Sequence, residues 1–202
     1  MTDSKQKSAP MSGFSRREFL RGSGAVAAAT ALQTQTAVAL DDQGPQVVRG
    51  EKKITLNVNG KDVQVKAEPR TTLLDVLRYQ LDLTGAKPVT VDGSSGASTI
   101  LIDDKPVAAS TTLAMAATGK KIQTVESLGG ERPDEVVKAF VSHDAQQCGF
   151  CTPGFVVAVR AFLNKNPDAT EAEVRAGLNG NLCRCGTYAN IVEAALAVVK
   201  GG

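Results

Sequence analysis

The 202-residue chain has no tryptophan, two tyrosines, six phenylalanines and one histidine. So few aromatics cannot build a base-stacking platform, and no basic stripe offsets that lack, since 23 Lys plus Arg stand against 21 Asp plus Glu. No nucleic-acid partner is expected. Four cysteines are too few for a disulfide-dense scaffold, and 42% hydrophobic with 22% charged residues is too ordinary for a disordered or collagen-like chain. There is no HExxH, no phosphate-binding glycine loop and no nucleophile–base pair, and Gly129-Gly130 reads as linker. The chain is therefore not expected to catalyse alone. The one extended apolar stretch is broken by Gln33, Thr34, Gln35 and Thr36, which leaves it too short and too polar to span a bilayer.

What the chain does contain begins with an uneven charge. Residues 1–39 carry five basic and two acidic side chains, so the remainder is close to neutral. A polar leader, Met1–Gly13, runs into Ser15-Arg16-Arg17-Glu18-Phe19-Leu20 and then an alanine-rich stretch ending at Ala37-Val38-Ala39. Paired arginines, a mildly apolar run and small residues before a cleavage point predict a twin-arginine export signal over 1–39 and a periplasmic destination. The plain alternative is an amphipathic surface helix that happens to hold two arginines. The twin-arginine route moves proteins already folded, often with a cofactor aboard, so a metal centre is anticipated.

The mature region reads in two parts. Ile54, Leu56 and Val58 alternate with polar residues, Asn59-Gly60 supplies a tight turn, and Val63 and Val65 alternate beyond it, which predicts a β-hairpin. Thr71 or Thr72 caps a helix expected from Leu73 to about Leu83, and Thr99–Ile102 and Ile122–Val125 are strand candidates. Residues 50–128 are thus expected to form a small α+β domain of β-grasp type. After the breaker-rich Gly129–Pro133, residues 134–200 read as four short helices: Asp134–Gln147, Pro153–Asn164, Glu171–Leu178 and Thr187–Lys200. Thr170 and Glu173 stand in capping-box register, and Pro153 takes a permitted first-turn position. Four such helices make a small bundle.

All four cysteines fall in this second part, Cys148 and Cys151 with two residues between them and Cys183 and Cys185 with one. Each pair lies where a helix meets a loop, so two loop mouths are placed to converge four thiolates. Such a quartet serves a [2Fe–2S] cluster, a structural zinc or, in an exported protein, disulfides paired between the two loops. The one-residue gap is uncommon for zinc and leans toward iron–sulfur. The reading from another class is a structural or interaction protein with a four-cysteine zinc site or disulfides and no redox role.

Gln147-Cys148-Gly149-Phe150-Cys151-Thr152-Pro153-Gly154 and, after a gap, Asn181-Leu182-Cys183-Arg184-Cys185-Gly186-Thr187-Tyr188 closely resemble the second-cluster signature of the small iron–sulfur subunits of molybdenum hydroxylases. This is the xanthine dehydrogenase and aldehyde oxidoreductase family, and the twin-arginine leader makes the periplasmic aldehyde oxidoreductase branch the nearest likeness. The resemblance covers about Lys52 to Val199. It implies a β-grasp ferredoxin-like domain followed by a four-helix [2Fe–2S] domain, with Cys148, Cys151, Cys183 and Cys185 as ligands of the molybdenum-proximal cluster. It also implies Gln147 and Cys185 against a molybdopterin held by a large catalytic subunit that oxidises an aldehyde or a heterocycle, and a flavin (FAD) subunit or cytochrome as further partner.

The chain departs from the family at the first cluster, where the resemblance calls for four more cysteines. Alignment on Thr84-Gly85-Ala86-Lys87 and Gly96-Ala97 puts Thr90, Ser95, Ser98 and Ser110 at those positions. A neutral hydroxyl is a poor ligand for soft iron, so the first site is expected to be empty and the hydroxyls to satisfy backbone donors in the loop Asp92–Gly96. One [2Fe–2S] cluster per chain is the resulting expectation.

Among the remaining residues, His143 is expected to be a helical surface residue, because the cysteine quartet leaves it no ligand position. Arg184 either raises the cluster potential or simply faces solvent or a partner. Gly154 and Gly186 are expected to let the backbone approach sulfur, and Phe150, Phe155 and Tyr188 to form an exposed apolar patch that a partner covers. The export signal generates the first test. Replacing Arg16 and Arg17 by Lys is expected to strand the protein in the cytoplasm, as read by fractionation and immunoblotting; unchanged delivery removes the twin-arginine assignment.

Overall fold

A computed structural model of the chain describes residues 47–201, so the expected signal segment lies outside the described residues. The hairpin forms as its alternation requires: β1 (Lys52–Val58) pairs antiparallel with β2 (Lys61–Ala67). Asn59 and Gly60 turn the chain with φ of 52° and 77°, both in the left-handed region that a two-residue turn of this twist demands. The Asn59 side chain donates from Nδ2 to Thr124 Oγ1 (3.0 Å) and accepts from the Thr124 amide (2.9 Å), which fastens the turn to the end of the strand that runs beside β1.

Thr72 caps the next helix by accepting from the Asp75 amide at 3.1 Å. The expected helix from Leu73 to Leu83 is shorter and less regular than its spacing implied. A single α-turn, α1 (Leu73–Asp75), widens into a π-helical stretch, Val76–Gln80, with Leu81 donating back to Val76. The widened turn still buries Leu73, Leu74, Val76 and Leu77 against the sheet.

Strand β3 (Thr99–Ile102) lies where alternation placed it, and β4 (Lys105–Ala108) follows through a turn at Asp103-Asp104, both with positive φ. Pro106 is admissible in β4 because β4 is an edge strand. The last strand, β5 (Lys121–Gln123), pairs parallel with β1 and antiparallel with β3, giving the order β2-β1-β5-β3-β4. The strand expected to reach Val125 ends at Gln123, and Val125–Leu128 coils into a 3-10 turn.

Four helices complete an α+β fold. They are α2 (Glu135–Ser142), α3 (Thr152–Leu163), α4 (Glu171–Gly177) and α5 (Tyr188–Val199). Helix α2 stops five residues before the expected Gln147, so His143 is its C-terminal cap and half-buried rather than an exposed helical residue, with Nδ1 3.0 Å from the Ala139 carbonyl. The capping box at Thr170 and Glu173 is present in full. Asp134 caps α2 through the Val136 amide (2.8 Å) and pairs with Arg160 of α3.

Helix α3 is apolar around most of its circumference because it is covered twice. Phe155, Val156 and Val159 pack with α2 and α5, while Val157 and Ala161 pack on Leu101 of β3. Near the start of that helix Gly154 has no room for a side chain, since a Cβ there would strike the Gly96 carbonyl and crowd Ala97. Gly154 therefore serves the packing of the loop 90–98 on α3, not an approach to sulfur. Gly96, with φ of 67°, faces the Gly180 carbonyl and the Asn181 side chain. Gly96→Ala adds a left-handed backbone penalty to a clash with backbone, so a loss of about 2–4 kcal/mol is expected. Calorimetry should show a Tm lower by on the order of 10 °C; an unchanged Tm would contradict this packing.

Candidate metal centre

The four cysteines sit on two loops that adjoin helix starts. Cys148 lies in the loop between α2 and α3, and Cys151 is the residue at which α3 begins. Cys183 and Cys185 lie between α4 and α5, where Gly186 (φ 81°) turns the chain before Thr187 opens α5. Cys183 is buried, Cys151 half-buried, and Cys148 and Cys185 exposed; all four are free thiols.

The inner pair is coupled. The Cys151 thiol is pushed up to about 12, first by burial and then by its hydrogen bond with Cys183 and the neighbouring charges of Cys183 and Cys148. Burial opposes ionisation of Cys183 too, but hydrogen bonds from the Thr187 hydroxyl and amide, from Cys151 and from the Gly186 amide outweigh it and bring that thiol down to about 7. The Thr187 hydroxyl is 3.1 Å from Cys183 Sγ. Of the inner pair Cys183 is thus the more readily ionised and Cys151 the more firmly protonated. The Cys183 amide donates to the Tyr188 hydroxyl at 2.7 Å, and the Tyr188 ring meets Phe155 edge to face at 6.1 Å.

Among the described residues no three His, Cys, Asp or Glu side chains are gathered tightly enough to hold a metal ion. The donor chemistry nonetheless fits an iron–sulfur cluster. The thiols are soft, unpaired by disulfides, and divided between a buried and an exposed side. Beside them the Thr152 hydroxyl is buried without a protein partner.

Gln147 is exposed next to Cys148, and Arg184 is exposed between Cys183 and Cys185. The expected apolar patch needs one correction. Phe150 and Tyr188 are 50% and 40% exposed, but Phe155 is 1% exposed because it fills the core between α3 and α5. Leu182, 56% exposed and directly before Cys183, was missed by the sequence reading. Its signal was the position of an apolar residue directly before Cys183 in a mostly polar loop.

The four hydroxyls at the first-cluster positions come together in pairs. Thr90 Oγ1 and Ser95 Oγ are 3.0 Å apart, as are Ser98 Oγ and Ser110 Oγ. Backbone donors use the same oxygens: Ser95 donates to Thr90 Oγ1 (3.2 Å), Ala97 to Ser95 Oγ (3.4 Å) and Ser110 to Ser98 Oγ (3.4 Å).

Comparison with known proteins places this geometry in a family. The [2Fe–2S] binding domain family matches residues 124–196, and the twin-arginine translocation signal family matches residues 13–32. The aldehyde oxidoreductase iron-sulfur-binding subunit PaoA of Escherichia coli O157:H7 is 36% identical over 199 residues, covering 90% of this chain and 86% of the relative. The nicotine 6-hydroxylase small subunit of Paenarthrobacter nicotinovorans is 44% identical over 144 residues, covering 71% and 87%. Among solved structures, quinoline 2-oxidoreductase from Pseudomonas putida 86 superposes with a TM-score of 0.71 at 41% identity, covering 75% of this chain and 95% of that one. Among the described residues no helix is long and apolar enough to cross a membrane. The chain belongs to the iron–sulfur subunits of the aldehyde oxidoreductase and xanthine dehydrogenase family, and is an electron-transfer [2Fe–2S] subunit of a molybdenum hydroxylase carrying a twin-arginine signal.

Proposed function

We propose that this subunit works in the periplasm as the electron carrier of a molybdenum-dependent aldehyde or heterocycle oxidoreductase, with a single [2Fe–2S] cluster held by Cys148, Cys151, Cys183 and Cys185. The observation that carries the reading is the arrangement of four free thiols on two helix-entry loops, two of them buried or half-buried and coupled, two exposed. A bound cluster supplies one-electron storage. The residues of this chain hold it, with Phe155 on the buried side of the site, and leave its outer side open. On that outer side Gln147 and Cys185 face the molybdopterin of a large catalytic subunit, while exposed Phe150, Leu182 and Tyr188 offer apolar surface for the same contact. A flavin subunit or a cytochrome takes the electrons onward.

The proposed division of the chain is a signal over 1–39, a β-grasp domain over 50–128 without cluster ligands and a four-helix cluster domain over 134–200. A single cluster follows from ligand chemistry at the first position. Thr90, Ser95, Ser98 and Ser110 offer protonated hydroxyls already engaged with one another and with backbone amides, whereas iron–sulfur clusters are ordinarily held by thiolates; an alkoxide can replace one thiolate, but four neutral hydroxyls are poor ligands for soft iron.

Iron and sulfide analysis of the purified chain should give two irons and two inorganic sulfides, with the visible absorption of a [2Fe–2S] protein. A colourless zinc-bearing or disulfide-bonded product would overturn the cluster, and four irons would overturn the single site. Cys183→Ser should bleach the chromophore, and the combined change Thr90→Cys, Ser95→Cys, Ser98→Cys and Ser110→Cys should add a second resonance signal. The thiols supply a further test. In the metal-free chain alkylation should reach Cys148 and Cys185 well before Cys183, as followed by mass spectrometry, and the loaded chain should protect all four.

A further inference from the structure

The loop 90–98, which bears three of the four hydroxyls and meets the fourth, Ser110, also touches the cysteine site. Its carbonyls at Ser95 and Gly96 accept hydrogen bonds from the Leu182 amide and from Asn181 Nδ2, each at 3.0 Å. Asn181 is buried, and with Leu182 it directly precedes Cys183. From Ser95 the path to Cys183 is therefore one hydrogen bond and one residue, Leu182, long, with the Asn181 bond to Gly96 running beside it.

Each hydroxyl pair closes part of this loop. Thr90 with Ser95 ties the loop to its own start, through both the hydroxyl contact and the Ser95 amide. Ser98 with Ser110 ties its end to the segment that follows β4, again by a hydroxyl contact reinforced by an amide. Ser95 and Ser98 are buried, so neither can exchange its partner for water without opening the loop. The carbonyl direction of Ser95 follows from the orientation of the peptide groups on either side, and the Ser95 amide is one of the groups that Thr90 holds.

We propose that the two hydroxyl pairs form a metal-free clasp that sets the loop 90–98 and, through Asn181 and Leu182, positions Cys183. Thr90, Ser95, Ser98 and Ser110 are then positioning residues for the site in the helical half. The proposal rests on the reading of Cys183 as a cluster ligand. What it adds is a mechanical role for four residues that carry no electrons.

The test uses the full chain loaded with its cluster. Thr90→Val with Ser110→Ala removes one hydroxyl from each pair. Hydrogen-exchange mass spectrometry should then show the Leu182 amide exchanging about three- to tenfold faster, the change that follows from losing one modest hydrogen bond, and the paramagnetic signal of the reduced cluster should change shape. Iron per chain should stay as in the parent, and Thr90→Ser, which keeps the hydroxyl, should behave as the parent. Unchanged exchange at Leu182 together with an unchanged signal would overturn the clasp. Should the double variant fail to fold, Ser110→Ala alone is read in the same way, and exchange and signal equal to the parent again overturn the proposal. An iron content other than two in the parent would count against the single-cluster reading, whereas the exchange rate at Leu182 reports on the clasp whatever the iron content.

Discussion

Asn181 Nδ2 donating to the Gly96 carbonyl is a buried hydrogen bond between residues 85 positions apart, and the rest of the site depends on it. A buried amide side chain with no partner costs about 1–3 kcal/mol, so the loop 90–98 and the loop before α5 are obliged to stay together. That obligation explains the glycines around it. Gly96 and Gly154 each lack a side chain where another backbone group passes, Gly96 against Gly180 and Gly154 against Gly96. Close approach of three backbone segments is what permits a single Asn side chain to bridge them.

Helix α3 converts that local contact into a relation between sheet and helices. Its first residues carry Cys151 and Gly154, its middle packs on Leu101 of β3, and its other face packs on α2 and α5. Arg160 on the same helix pairs with Asp134, the residue that caps α2. One helix thus fixes the first cysteine loop relative to the sheet, while Asn181 fixes the second. The helix ties the first loop to the sheet and Asn181 ties the second to the loop that leads into β3, with Gly96 common to both contacts, so the two cysteine loops are held in register.

Those parts of the fold governed by local chemistry were legible in the sequence. Asn59-Gly60 between alternating runs specified a hairpin, and Thr170 with Glu173 specified a helix start, because each signal acts within four residues. The turn at Asp103-Asp104 was not legible. Asp tolerates positive φ less readily than the Gly of the usual signals, and the turn is imposed by pairing of β3 with β4. Likewise the spacing of Leu73, Leu74, Leu77 and Leu81 is shared by an α-helix and by the widened turn that forms, and only packing against the sheet separates them. Phe155 was misjudged for a related reason: it stands four residues after Cys151 in sequence, but its neighbours in space are core residues of the helices. In the site, the Cys spacing leaned toward iron–sulfur but left zinc and disulfides open, and the resemblance of the flanking residues chose among them; the coupling of Cys151 to Cys183 through burial was not legible, since burial is a tertiary property.

The distribution of exposure among the thiols constrains how electrons pass. Cys183 and Cys151 face the interior and Cys148 and Cys185 face outward, so on the single-cluster reading the short route in and the short route out share the same rim. In a subunit with two clusters the second would lead electrons away through the sheet half. Here the hydroxyls of Thr90, Ser95, Ser98 and Ser110 keep their protons, because paired neutral hydroxyls in a buried loop have nothing to gain from ionisation. Neutral oxygen donors cannot balance the positive charge of ferric iron as four thiolates do, and so, on the same reading, the sheet half would keep the loop of a cluster site without its cluster. On that reading an acceptor would have to reach the cysteine rim itself, where Phe150, Leu182 and Tyr188 are the exposed apolar residues.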